Sequence, residues 1–159
     1  MDKRTIGRIQ MWLVAGTAAF TVMAQSAGVS LAAGGTGGEP FTLPCPDHTA
    51  LVGIQGRAGD YIDSIRGVCS RFDEIGNASA PVTTATVGGS GGTSSFNLRC
   101  PSGEAMVGVR GRAAWWVDQV QIICAPIDEN GLAQGAGTRD PFTAGGSGGD
   151  AFSHDAQHW

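Results

Sequence analysis

Two aspartates end matching segments of the chain, Gly59-Asp60-Tyr61-Ile62-Asp63 and Ala114-Trp115-Trp116-Val117-Asp118. An ionised carboxylate accepts hydrogen bonds, and neighbouring backbone N–H groups are fixed donors. Together they suit a group that both donates and accepts, such as a sugar hydroxyl. Tyr61, Trp115 and Trp116 add amphipathic rings able to pack on the apolar face of a pyranose. Three glycine clusters, Gly34-Gly35-Thr36-Gly37-Gly38, Gly88-Gly89-Ser90-Gly91-Gly92 and Gly145-Gly146-Ser147-Gly148-Gly149, would let a ligand approach the main chain closely. The competing reading pairs Asp63 with Arg57 and Asp118 with Arg112, so that each aspartate only fixes a turn. Asp60 has no counterpart in the second segment and is read as rim.

Other reactive groupings are thin. Asp60 and Asp63 lie on one turn, which places them poorly to flank a glycosidic bond. His48, His154 and His158 are scattered, and no serine sits in an elbow motif. The Asn77-Ala78-Ser79 sequon matters only in a eukaryotic secretory pathway. The reading is a binding protein, with no enzyme activity, metal or cofactor. A net charge of −4 offers no basic footprint and argues against nucleic acid as a partner.

The segments that carry the aspartates belong to a duplication. With an offset of 55, Phe41 to Cys69 aligns on Phe96 to Cys124, and 12 of the 29 positions are identical. A glycine cluster precedes each copy, and a third opens a stub ending at Trp159; the clusters are spaced by 54 and 57 residues. Such regular recurrence fits a repeated backbone conformation with positive φ better than it fits flexible linkers. The units read as repeat 34–87, repeat 88–144 and partial repeat 145–159.

Cys45, Cys69, Cys100 and Cys124 form two pairs with the same separation of 24. Even number, equal spacing and an exported destination argue for two disulfides, with Cys45–Cys69 and Cys100–Cys124 favoured as one staple per repeat. Zinc is the rival, but Cys-x-x-Cys and histidines at ligand spacing are both lacking. Export is read from the N-terminus. Lys3, Arg4 and Arg8 precede an apolar stretch from Met11 to Ala24, too short to span a bilayer comfortably. Residues 1–33 are thus expected to be a signal peptide, cleaved after Ala24 or Ala33, with no membrane association afterwards; the rival reading is an uncleaved membrane anchor. The chain from Gly34 keeps seven arginines, no lysine and thirteen acidic residues, a net charge of −6 with neutral histidines.

With 26 glycines, 15% charged residues and no helical periodicity beyond about two turns, the 159-residue chain reads as one all-β domain. Val120, Ile122 and Cys124 share one face of a strand while Gln119, Gln121 and Ile123 take the other. Strands are expected near 39–45, 50–58, 62–71 and 81–87, then 94–100, 105–113, 117–127 and 132–143.

These residues resemble a family. Gly-Gly-x-Gly-Gly, then Phe-x-Leu, then Leu51-Val52-Gly53-Ile54-Gln55-Gly56-Arg57-Ala58-Gly59-Asp60-Tyr61-Ile62-Asp63 is similar to the jacalin-related lectins, over roughly residues 34–152. The resemblance implies a β-prism, three Greek-key sheets in pseudo-threefold arrangement, here incomplete in the third sheet. It implies that each Gly-x-x-x-Asp turn pairs with the glycine loop of the next repeat. Gly59, Asp60, Tyr61 and Asp63 would face Gly88, Gly89, Gly91 and Gly92. Trp115, Trp116 and Asp118 would face Gly145 and Gly146. The implied ligand is a neutral sugar, mannose or glucose rather than galactose. Two departures stand out. The cysteine pairs are atypical of plant members and look like a bacterial secreted variant. Ala114 replaces the motif glycine, which would strain the turn if that position needed positive φ. The open third edge could be filled by a second chain, giving a homo-oligomer, or by segments 70–87 and 125–144. The alternative function is an extracellular adhesion module that binds protein.

Overall fold

The computed structural model describes residues 12–14, 19–20, 33–34, 40–71, 81–128, 133–135, 137–139 and 141–155. Most of the expected leader, Gly35 to Gly38 and Trp159 lie outside them. Among the described residues there is no helix, and every ladder is antiparallel. The fold is all-β.

Four short strands come first: β1 (Trp12–Val14), β2 (Ala19–Phe20), β3 (Ala33–Gly34) and β4 (Pro40–Thr42). The first large sheet holds β5 (Thr49–Ala58), β6 (Ile62–Arg71), β7 (Val82–Thr83), β8 (Val87–Gly88) and β9 (Ser94–Arg99). The second holds β10 (Glu104–Ala113), β11 (Val117–Pro126), β12 (Thr138–Arg139), β13 (Ala144–Gly145) and β14 (Asp150–Asp155). In the first sheet β7 and β8 pair with β6, β6 with β5, and β5 with β9; β12, β13, β11, β10 and β14 repeat that order. The last strand returns to lie beside the first, which is the Greek-key order.

The sheets run out of phase with the sequence repeats. The second and third glycine clusters, with the strand that follows each, close the preceding sheet rather than opening the next. The structural units therefore cover 49–99 and 104–155, and the segment 145–159, read as a partial repeat, supplies the closing strand of the second. The expected fourth strands, 81–87 and 132–143, are each broken into two two-residue pieces on the outer edge. At the N-terminus β1 pairs with β4 and β2 with β3, the same partnership as β5 with β9 and β6 with β8.

The sheets pack through their apolar faces. One buried cluster joins Ile54, Ile62, Ile65 and Leu98 of the first to Met106, Val109, Val120 and Ile122 of the second, with Leu43 added from the segment before β5. Ile123 takes the opposite face of β11, beside Val107 and Ala125, as its alternation predicts. Phe96 lies opposite Gly56, and Phe152 opposite Gly111. A Cβ on Gly56 would come within 2.8 Å of the Phe96 ring, so the strand glycine seats the phenylalanine that follows each later cluster.

Both disulfides form as the spacing suggests, with Cα separations of 5.7 Å for Cys45–Cys69 and 5.5 Å for Cys100–Cys124. Their role differs from a staple within one repeat. Cys100 follows β9 and its N–H donates to Val52 O at 2.9 Å, whereas Cys124 lies on β11. The second bridge therefore ties one sheet to the next. Peptide mapping without reduction should recover these two pairings alone. Replacing Cys100 and Cys124 by serine should lower the unfolding free energy by about 3 kcal/mol in chemical denaturation.

Candidate functional site

Each glycine loop is the crossover of its Greek key. Between Gly88 and Ser94 the chain leaves β6, passes the end of the hairpin and joins β5 on the far edge. Three interstrand gaps of ~4.8 Å make about 14 Å, against a reach of about 20 Å for six extended steps. So short a path must lie close on the hairpin, and glycines permit it. Gly88 and Gly92 have φ of 100° and 75°, and Gly145 and Gly149 have 98° and 66°. The repeated positive-φ conformation expected from the clusters is present in both.

The hairpin grips this loop from two sides. Arg57 donates from Nε to Gly91 O at 2.7 Å and from Nη2 to Gly92 O at 2.6 Å. Arg112 does the same to Gly148 O at 2.8 Å and Gly149 O at 2.5 Å. The aspartates approach the same glycines. Register shifts in β5–β6 and β10–β11 leave Asp63 and Asp118 as extra residues in β-bulges, which re-aim their side chains. A Cβ on Gly91 would strike Asp63 Oδ1, and one on Gly92 would lie 2.8 Å from Asp63 Oδ2; Gly148 and Gly149 stand likewise against Asp118. The Gly89 and Gly146 N–H groups donate to the Asp63 and Asp118 carbonyls at 2.8 Å. Arginine and aspartate thus hold one loop together, and the expected Arg57–Asp63 and Arg112–Asp118 ion pairs are replaced by a shared grip on glycine backbone.

Of the residues singled out in the first turn, Asp63 lies against Gly88, Gly91 and Gly92, and a Cβ on Gly59 would sit 3.8 Å from Gly92 Cα; Asp60 instead meets Gly146 of the other loop, and Tyr61 meets Trp116. In the second turn Asp118 lies against Gly145 and Gly146, where Gln119 Nε2 also donates to Gly146 O at 2.9 Å. The copies differ in burial. Asp63 is half-buried, whereas Asp118 is 5% exposed and its Oδ2 is buried without a hydrogen-bond partner.

The feared strain at Ala114 does not arise. Neither Gly59 nor Ala114 has positive φ, and their N–H groups close equivalent turns onto Tyr61 O and Trp116 O, both at 2.9 Å. Alanine fits there as glycine does, so restoring glycine has no geometric motive.

One relation escaped the sequence: the two sites touch. Tyr61 and Trp116 stack at a tilt with centroids 5.9 Å apart, and Gly146 packs so closely on Asp60 that a Cβ would lie 2.6 Å from its carbonyl oxygen. Tyr61, Trp115 and Trp116 are 45%, 72% and 38% exposed, giving an aromatic surface across the junction of both turns. Among the described residues no cluster of His, Cys, Asp or Glu could hold a metal ion. Comparison of the chain with protein-family models, curated proteins and solved structures finds no match.

The loop geometry makes a contrast within one cluster. Gly92→Ala should destabilise the fold by about 1–2 kcal/mol or more, because φ is positive and Ala58 N lies 2.8 Å from the added carbon. Gly89→Ala should stay within about 0.5 kcal/mol, its nearest neighbour being 3.9 Å away. Urea unfolding curves of the two variants check this.

Proposed function

We propose that this protein is an exported carbohydrate-binding module with a jacalin-type β-prism, recognising neutral hexoses at its paired turns and glycine loops. The observation that carries the reading is the exposed Tyr61–Trp115–Trp116 surface together with the exposed Gly88–Gly91 loop beside Asp63. Aromatic rings meet the apolar face of a pyranose, while a half-buried carboxylate and main-chain groups meet its hydroxyls. Asp63 is the residue that accepts from sugar. The deeper Asp118 holds its loop in shape, and its turn contributes through Trp115 and Trp116. The repeated Greek-key order of the two large sheets supports a prism that is incomplete in its third sheet once the leader is removed.

Two disulfides are compatible with an oxidising compartment. Export would remove β1 and β2 and leave β4 unpaired, an edge to which a second chain could add. N-terminal sequencing of exported protein should begin at Gln25 or Gly34; a soluble cytoplasmic protein starting at Met1 contradicts the leader.

Glycan titration tests the site. Methyl mannoside or glucoside should bind with a dissociation constant on the order of 0.1–1 mM, as suits a shallow polar site. Asp63→Asn should weaken binding by roughly 1.5–3 kcal/mol, since one acceptor becomes a donor. Asp118→Asn should act on stability more than on affinity. Undiminished glycan binding in folded Asp63→Asn and Trp116→Ala variants contradicts the site. The exposed rings would equally suit a protein partner; adhesion that free sugar fails to compete away would favour that reading.

A further inference from the structure

A second site lies away from these turns, where the disulfide joins the two sheets. A cavity of about 330 Å3 opens there. Its walls include Asn97 and Arg99 from β9, Thr138 from β12, Phe142 from the segment after it, and the Cys100–Cys124 bridge. Cys124 stands seven residues along β11 from Val117, about 23 Å at ~3.3 Å per residue, so the cavity is separate from the aspartate turns.

Arg99 is the one charged side chain on this wall among the described residues. Its Nη1 is buried and has no hydrogen-bond partner. Burial pulls the guanidinium below its ordinary pKa. The stem is closely fitted as well: a Cβ on Gly53 would lie 2.9 Å from Arg99 Cδ and 3.1 Å from its Cα. Nη1 is closed off from the cavity, but the rest of the half-buried guanidinium lines it and has no ion-pair partner among the described residues, so an anion in the cavity would meet a cation whose charge is not otherwise offset.

The surroundings narrow the anion. A single guanidinium presents a planar fork that matches one carboxylate bidentately, whereas a phosphate dianion would call for a second cation. The disulfide, Pro101 and Pro141 make the remaining wall largely apolar, and Phe142 is 69% exposed at its edge. Asn97 and the Thr138 hydroxyl, which donates to Cys124 O at 3.4 Å, supply polar groups for hydroxyls. The volume sits at the small end of the 300–1,000 Å3 range of ligand sites, about right for one sugar ring.

We propose that this intersheet cavity binds a hexuronate, its carboxylate on Arg99 and its apolar ring face on Phe142. The site is independent of the neutral-sugar reading and would let one chain engage an acidic glycan at a second point. The full chain, 15N-labelled, is titrated with sodium glucuronate, with its neutral glucuronamide analogue and with benzoate. Glucuronate should shift the amide signals of Asn97 to Cys100, Thr138 and Phe142, while glucuronamide should leave them in place. Arg99→Gln should weaken the response by roughly tenfold or more, Arg99→Lys by less, and the surface change Phe142→Ala by several-fold. Asp63→Asn should leave it unchanged. The proposal is overturned by absence of shifts at about 20 mM glucuronate, by an equal response to glucuronamide, by benzoate binding as well as glucuronate, or by an undiminished response in folded Arg99→Gln and Phe142→Ala variants.

Discussion

A short crossover must be laid over the end of a β-hairpin, and the rest of the site follows from how it is held there. Arg57 takes the outward carbonyls of Gly91 and Gly92, and the Asp63 carboxylate presses on the same two residues. The bulge at Asp63 exists to turn that carboxylate out of the ordinary strand alternation. The loop in turn delivers β9 to the edge of β5 with Phe96 over Gly56, so the local grip and the closure of the sheet are one event. Arg112, Gly148, Gly149 and Asp118 repeat it in the second sheet.

The two sheets are also coupled to each other. They share one buried apolar cluster and a disulfide that runs from the end of β9 to the C-terminal part of the second sheet's β11. At the opposite end, Gly146 rests on Asp60 and Trp116 on Tyr61. A ligand at the aromatic surface therefore meets parts of both sheets, and their packing fixes the spacing between its contacts. Weakening the intersheet core would be felt at the rings before either loop lost its own shape.

Much of this was legible in the sequence. The offset of 55 predicted two like units, the cysteine spacing predicted the bridges, and the two later glycine clusters predicted the positive φ of Gly88, Gly92, Gly145 and Gly149, though not that of His48, Gly103 and Gly135. The phase of the sheets was not legible, because a strand's alternation says which side is buried but not which neighbour it joins. The bulges carry no residue signature, and without them Asp63 and Asp118 seemed free to meet Arg57 and Arg112. The actual arginine targets lie 34 to 37 residues away, on carbonyls that every residue possesses. Asp118 is buried where Asp63 is half-buried, a difference that the duplication, which made the two look alike, did not show.

Whether sugar meets the turn–loop junction is tested most directly by amide chemical-shift mapping of the full chain with methyl α-mannoside. The expected result is saturable shifts confined to Gly59–Asp63, Gly88–Gly92 and Trp115–Asp118, together with the indole N–H signals of Trp115 and Trp116. Shifts centred elsewhere, or none at concentrations of about 10 mM where a millimolar site would be largely filled, would contradict it.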